Sequence, residues 1–292
     1  MRRVIADGNA ERNTAAGATA VRASALAVTC VLASVLAGSA AAAGSACRAG
    51  TLYLTFDTGH MEPAAAIADM LARHEVKATF FIANEKVKQP GRSREQSTAW
   101  TLDDVQRPFW QRLVAEGHAF GSHTWDHHYF RGDVGATQTR YVPWGAKEGR
   151  LLDREAFCAE LRKPEVRFRE LTGRGFDGLW RAPGGKTTPR VLAWAESCGW
   201  RHVHWSDAGF LGDELPSETH PNDLLLRRAL DRLRDGDILM AHMGIWSRKD
   251  PFWPTLDPLI AGLKSRGFCF ATLSRDRLTT GINHRAITLG KN

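Results

Sequence analysis

Three places in the chain carry residues able to do hydrolytic chemistry together. Asp57 closes the apolar run Leu52-Tyr53-Leu54-Thr55-Phe56, His123 and His127 follow the run His118–Gly121, and His242 ends Ile238-Leu239-Met240-Ala241. Two histidines four apart on a helical turn present both imidazoles on one face, where they can grip one metal ion. A carboxylate beside such an ion is suited to take a proton from an attacking water. A histidine across the site can give a proton to a departing amine near neutral pH. Arg181, in Trp180-Arg181-Ala182-Pro183-Gly184-Gly185, could hold the aspartate ionised through a forked hydrogen bond. Asp207, in Trp205-Ser206-Asp207, could orient His242 and favour its charged form. Each residue also has a plain structural reading: a turn-capping aspartate, a surface arginine beside a Pro-Gly turn, a packed histidine.

These residues need a scaffold that gathers strand ends. From Leu52 onward short apolar runs alternate with longer amphipathic ones. Strands are expected at 52–56, 78–82, 118–121, 179–181, 202–205, 237–241 and 268–273. Helices are expected at 64–73, 101–116, 153–171, 189–198, 222–233 and 257–265. Such alternation predicts an α/β chain with a parallel sheet of about seven strands. An open doubly wound sheet shares this pattern but concentrates its site at one switch point. Here the reactive candidates follow strands one, three, four, five and six, which favours a distorted, incomplete (β/α) barrel whose strand exits face one mouth. Two long stretches on the exit side, Asn84–Trp100 and Tyr129–Arg150, fit no regular element.

The same segments resemble the NodB-type polysaccharide deacetylases, metal-dependent enzymes that remove N-acetyl or O-acetyl groups from sugars. Thr55-Phe56-Asp57-Thr58-Gly59, His123-Thr124-Trp125-Asp126-His127, Arg181-Ala182-Pro183, Trp205–Phe210 and Leu239–His242 occur in the family's order and cover nearly all of 51–273. The resemblance implies Asp57 as base, His123 and His127 as metal ligands, and His242 as acid. It further implies that Arg181 holds the base, that Asp207 tunes the acid, and that Pro183 and Trp205 line the substrate site. It implies a divalent metal: zinc first, with cobalt or nickel as alternatives. Two departures stand out. Thr58 occupies the place of the family's second aspartate, which completes the metal triad, and a neutral hydroxyl is a poor zinc ligand. Thr58 with added waters, or His60, is left to fill that role. The family's tryptophan after the Asp207 segment is replaced by Phe210.

The ten tryptophans suit a glycan partner, since aromatic faces match the apolar faces of sugar rings. Trp125, beside the histidine pair, is a candidate sugar contact. Peptidoglycan, a chitin-like oligomer and an exopolysaccharide all fit. The expected activity is hydrolysis of a carbon–nitrogen bond other than a peptide bond. The rivals are a degenerate barrel that binds glycan without catalysis and an amidase for a small acylated metabolite.

Residues 1–43 belong to a different regime. Four arginines precede an uncharged Ala-, Val- and Leu-rich run ending in small residues, which describes a signal peptide or, if uncleaved, a membrane anchor. The catalytic domain is then 44–292, exported to the periplasm or outside the cell, with no membrane span once the leader is cleaved. The chain carries a net charge of +7. The leader's arginines outweigh Asp7 and Glu11, leaving about +5 on the remainder, scattered rather than striped, so nucleic acid is not an expected partner. Cys47, Cys158, Cys198 and Cys269 permit two disulfides, with Cys47 and Cys269 a candidate pair if neighbouring barrel strands bring them together, or else buried free thiols. The oligomeric state is open.

Overall fold

A computed structural model describes residues 47–280. The leader therefore lies outside the described residues. Strands β1 (Gly50–Asp57), β2 (Thr79–Ile82) and β3 (Ala119–Ser122) alternate with helices α1 (Ala64–Arg73) and α2 (Arg107–Ala115). An antiparallel trio follows: β4 (Tyr129–Val134), β5 (Gln138–Val142) and β6 (Arg150–Leu152). The parallel pattern then resumes with α3 (Arg154–Thr172), β7 (Leu179–Trp180), α4 (Pro189–Ser197) and β8 (Arg201–His202). Next come α5 (Asn222–Arg232), β9 (Ile238–His242), α6 (Leu256–Ser265), β10 (Phe268–Phe270) and α7 (Arg275–Thr280).

Seven of these strands form one parallel sheet, in the order β10-β1-β2-β3-β7-β8, with β9 also paired to β1. It curls into the expected incomplete barrel. β1 is its spine, pairing with β10 at Gly50–Leu52, with β9 at Tyr53–Asp57 and with β2 at Thr55–Asp57. The gap between β8 and β9 is bridged by an irregular segment. Ser206 N donates to Ile238 O (3.1 Å) and Met240 N to Gly209 O (2.9 Å), so backbone closes the wall where an eighth strand would stand.

Alternation along β1 explains both the core and the site. Leu52, Leu54 and Phe56 point outward into the largest apolar cluster, with Ile67 and Met70 of α1, Leu113 of α2 and Leu259 and Leu263 of α6. Tyr53 points inward with Phe81, Leu179, Val203 and Ile238, forming the floor of the barrel. Thr55 and Asp57 continue that inward face toward the exits. With both faces covered, the strand reads as a nearly continuous apolar run.

The stretch Asn84–Trp100 is irregular, as expected, apart from one bridge between Lys86 and Trp100. Tyr129–Arg150 is not. It forms most of the antiparallel trio, where Phe130, Tyr141 and Leu152 pack against Phe157 and Leu161 of α3 and Trp180 of β7. The hairpin turn sits at Gly135, whose φ of 54° suits glycine. Among the described residues no helix is long and apolar enough to cross a membrane. Two disulfides join Cys47 to Cys269 and Cys158 to Cys198.

Candidate active site

Asp57 sits at the top of β1, 2 % exposed, against an Arg181 that is wholly buried. Arg181 Nη1 donates to Asp57 Oδ1 (2.7 Å) and to Thr55 Oγ1 (2.8 Å), while its Nε donates to the carbonyl of Val203 (3.1 Å). The guanidinium also lies over the Phe81 ring, 4.2 Å from its centre. It thus ties four strands or their exits to one carboxylate. Burial by itself would raise the Asp57 carboxyl, but the charges of Arg181, His123 and His242 outweigh it and hold the group below the ordinary aspartate value.

His123 follows β3 and is buried. Its Nδ1 lies 2.9 Å from the carbonyl of Arg181, an acceptor only, so that nitrogen carries the hydrogen and Nε2 presents a lone pair. Nε2 faces Asp57 Oδ2 at 3.5 Å and His127 Nε2 at 3.2 Å. Burial pushes His123 down to about 4, so it is neutral at physiological pH and able to ligate. The pair is not presented by a helical turn, as its spacing suggested. Thr124 and His127 both adopt left-handed backbone, with φ of 64° and 53°, and the segment is a tight irregular loop. Tyr141 of β5 braces it: the phenol donates to Thr124 Oγ1 (2.8 Å) and accepts from His128 N (3.3 Å). The antiparallel trio therefore shapes the histidine loop.

Two imidazole Nε2 atoms facing each other at 3.2 Å suit a shared cation. Two nitrogens on one tetrahedral zinc stand about 3.3 Å apart, given zinc–nitrogen bonds of about 2.0–2.1 Å. Imidazole nitrogens with a nearby carboxylate suit zinc, cobalt or nickel. Among the described residues, no three His, Cys, Asp or Glu side chains are already gathered into a complete metal-binding group.

The two candidates for the missing ligand are engaged elsewhere. Thr58 Oγ1 donates to Glu85 Oε2 (2.6 Å) and accepts from Ala83 N (3.2 Å). His60 Nδ1 accepts from Glu62 N (3.2 Å), and its ring meets Trp246 edge-on, with centres 5.4 Å apart. That contact needs the turns after β1 and β9 to touch. A Cβ on Gly59 would sit 2.1 Å from the carbonyl of Gly244, which excludes any larger residue there.

His242 stands opposite Asp57, the two being register partners on β9 and β1. Its carboxylate partner is not Asp207, which is exposed on the bridging segment. Asp213 takes that place, 4 % exposed, with Oδ1 3.1 Å from His242 Nδ1 and Oδ2 accepting from His242 N at 2.6 Å. Burial would lower His242, but Asp213, then Asp57 and Glu214, prevail and push it up to about 10. His242 is thus a loaded proton donor at neutral pH.

Beside His242 opens a cavity of about 360 Å³, lined by His60, Lys88, Asp213, Trp246, Arg248 and Trp253 among others. Trp205 is half-buried, stacked on His204 (centres 4.1 Å apart) with the Arg181 guanidinium 5.7 Å from its ring. Pro183 opens the buried turn after Arg181. Trp125 does not line the cavity by His242. It faces α3, over a separate depression formed with Ala159, Lys163 and Val166.

The family model described as polysaccharide deacetylase matches residues 45–203. The chain belongs to the polysaccharide deacetylase family. The chitooligosaccharide deacetylase of Azorhizobium caulinodans is 27 % identical over 235 residues, covering 76 % of this chain and 92 % of the relative. The peptidoglycan-N-acetylglucosamine deacetylase of Bacillus cereus is 25 % identical over 221 residues, covering 75 % and 66 % respectively. A solved peptidoglycan N-acetylglucosamine deacetylase shares the fold with a TM-score of 0.57 at 23 % identity, covering 76 % of this chain and 86 % of that one.

Two carboxylates of this deacetylase-family site escape a reading by motif. Asp213 follows Phe210-Leu211-Gly212, an apolar run that could have marked an exit, but the tryptophan motif draws attention to Asp207 instead. Glu85 lies three residues beyond β2 in an irregular stretch, where only the strand exit itself hints at a role.

Proposed function

We propose that this protein is an exported, metal-dependent deacetylase that hydrolyses N-acetyl groups of a glycan and releases acetate. One observation carries the reading: a buried, arginine-clamped Asp57 stands beside two facing imidazole nitrogens and opposite a protonated His242. When bound to His123 and His127, a divalent metal, zinc first with cobalt or nickel as alternatives, supplies Lewis acidity toward water and the acetamide carbonyl. Asp57 receives the proton of the attacking water, and Arg181 keeps that carboxylate ionised and aimed. The water oxygen bonds to the acetyl carbon, the carbon–nitrogen bond breaks, and His242 gives its proton to the amine. Asp213 holds His242 in its charged form until then.

The cavity beside His242, with Trp246 and Trp253 on its wall, has room and aromatic surface for a sugar ring. Relatives named for chitooligosaccharide and peptidoglycan support an acetylated glycan of one of these kinds, with an exopolysaccharide as a further candidate. Two disulfides among the described residues support an oxidising compartment, the periplasm or the exterior. The test is acetate release from a panel of these glycans, with and without added metal. Asp57→Asn is expected to lower the rate by about 10²–10⁴-fold with the fold intact. Full activity in that variant overturns the mechanism. The rival, a degenerate glycan-binding barrel, is favoured if the purified protein binds no zinc, cobalt or nickel and gains no rate from them.

A further inference from the structure

We propose that the negative charge missing at position 58 is delivered from the next strand by Glu85, which acts as the carboxylate that orients His127 toward the metal. This rests on the metal-dependent reading above. Glu85 leaves β2 on the exit side, and its side chain is 11 % exposed. One carboxylate oxygen accepts a hydrogen bond from the Thr58 hydroxyl at 2.6 Å, and that hydroxyl is itself fixed by Ala83 N at 3.2 Å. The other oxygen faces His127 Nδ1 at 3.4 Å.

An ionised carboxylate is an acceptor only, so it selects the His127 tautomer with hydrogen on Nδ1. His127 Nε2 is then bare and faces His123 Nε2, whose own hydrogen is directed to Arg181 O. His123 thus has its outer nitrogen hydrogen-bonded to a fixed acceptor, and His127 has its outer nitrogen facing one, with both inner nitrogens turned to each other. Metal-binding histidines are commonly held in this way, and loss of the outer partner typically costs 10–100-fold in metal affinity. Thr58 and Glu85 therefore form a matched pair. The hydroxyl that replaced a ligand is the group that anchors the substitute charge. An aspartate at position 58 would meet Glu85 as a like charge at hydrogen-bonding distance.

Metal affinity tests this directly, by competition of Zn²⁺ or Co²⁺ with a chromophoric chelator. The set is the wild type, E85Q, T58V, T58D and T58D/E85Q, with unfolding midpoints as a fold control. E85Q is expected to bind about 10–100-fold more weakly at an unchanged midpoint, with T58V weakened less. T58D is expected to bind more weakly than wild type, and T58D/E85Q to recover to within a few-fold. At saturating Co²⁺ the visible spectrum of E85Q is expected to keep the wild-type band shape, because the ligands themselves are unchanged. Unaltered affinity in both E85Q and T58V overturns the proposal, as does additive loss in the double variant. An altered cobalt spectrum in E85Q overturns the orienting role and makes Glu85 a direct ligand. A wild type that binds neither metal overturns the metal-dependent reading itself, an outcome distinct from the others.

Discussion

His242 and Asp213 set the working pH range of the proposed reaction. The base limb of kcat/KM belongs to His242 losing the proton that Asp213 helps to hold. Asp213→Asn retains an acceptor but removes the charge, so the alkaline limb is expected to move down by roughly 1–3 pH units. A pH–rate profile on both proteins checks this. Stability follows the same sign. His242 is raised on folding, so its contribution is full below the unfolded value near 6.5 and is lost as pH rises through about 10. The stability gap between wild type and Asp213→Asn should therefore be largest at or below pH 6.5 and close above 10. Urea titrations at several pH values would read it. Asp57, Arg181, His123 and His242 were legible in the sequence because each stands at or just past the exit of an apolar run. Asp213 and Glu85 were not, because irregular backbone determines where their side chains arrive, and no periodicity encodes that.

At the scale of elements, the histidine loop depends on a sheet that the sequence hides. Tyr129–Arg150 reads as polar and irregular because β4 and β5 alternate over only a few residues, with a register break between Phe130 and Asp133. The signal that could have been used is Gly135 between short alternating runs that carry Phe130 and Tyr141. The consequence is specific. Tyr141→Phe keeps the packing against Phe130 but strips two hydrogen bonds from the loop. It is expected to cost about 1–2 kcal/mol in denaturant unfolding and to weaken metal binding as well. Loss of stability with metal affinity unchanged would show that the loop holds its shape without this brace. The parallel elements were far more legible. α1 runs over the residues that its apolar spacing predicts, since Ile67, Met70 and Leu71 share one buried face.

Over the whole molecule, the barrel was readable from the scatter of reactive residues over many strand exits, an arrangement that an open sheet cannot gather. Its mode of closure was not readable, because Ser206–Leu211 closes the wall through backbone contacts with no strand pattern. The pairing of Cys47 with Cys269 follows from β1 and β10 being neighbours. It closes a span of 222 residues, so Cys47→Ser is expected to lower stability by about 2–5 kcal/mol, seen as a reduced urea midpoint under oxidising conditions. A midpoint equal to that of the wild type would mean that the bridge adds nothing beyond the packing of β1 on β10.

That bridge also fixes where the chain enters the barrel. Cys47 is pinned just before the foot of β1, whereas Asp57 emerges at its crown, about 23 Å from Gly50 along the strand. Opening that bridge would free the foot of β1 but not its crown, where β2 and β9 hold Asp57 in register.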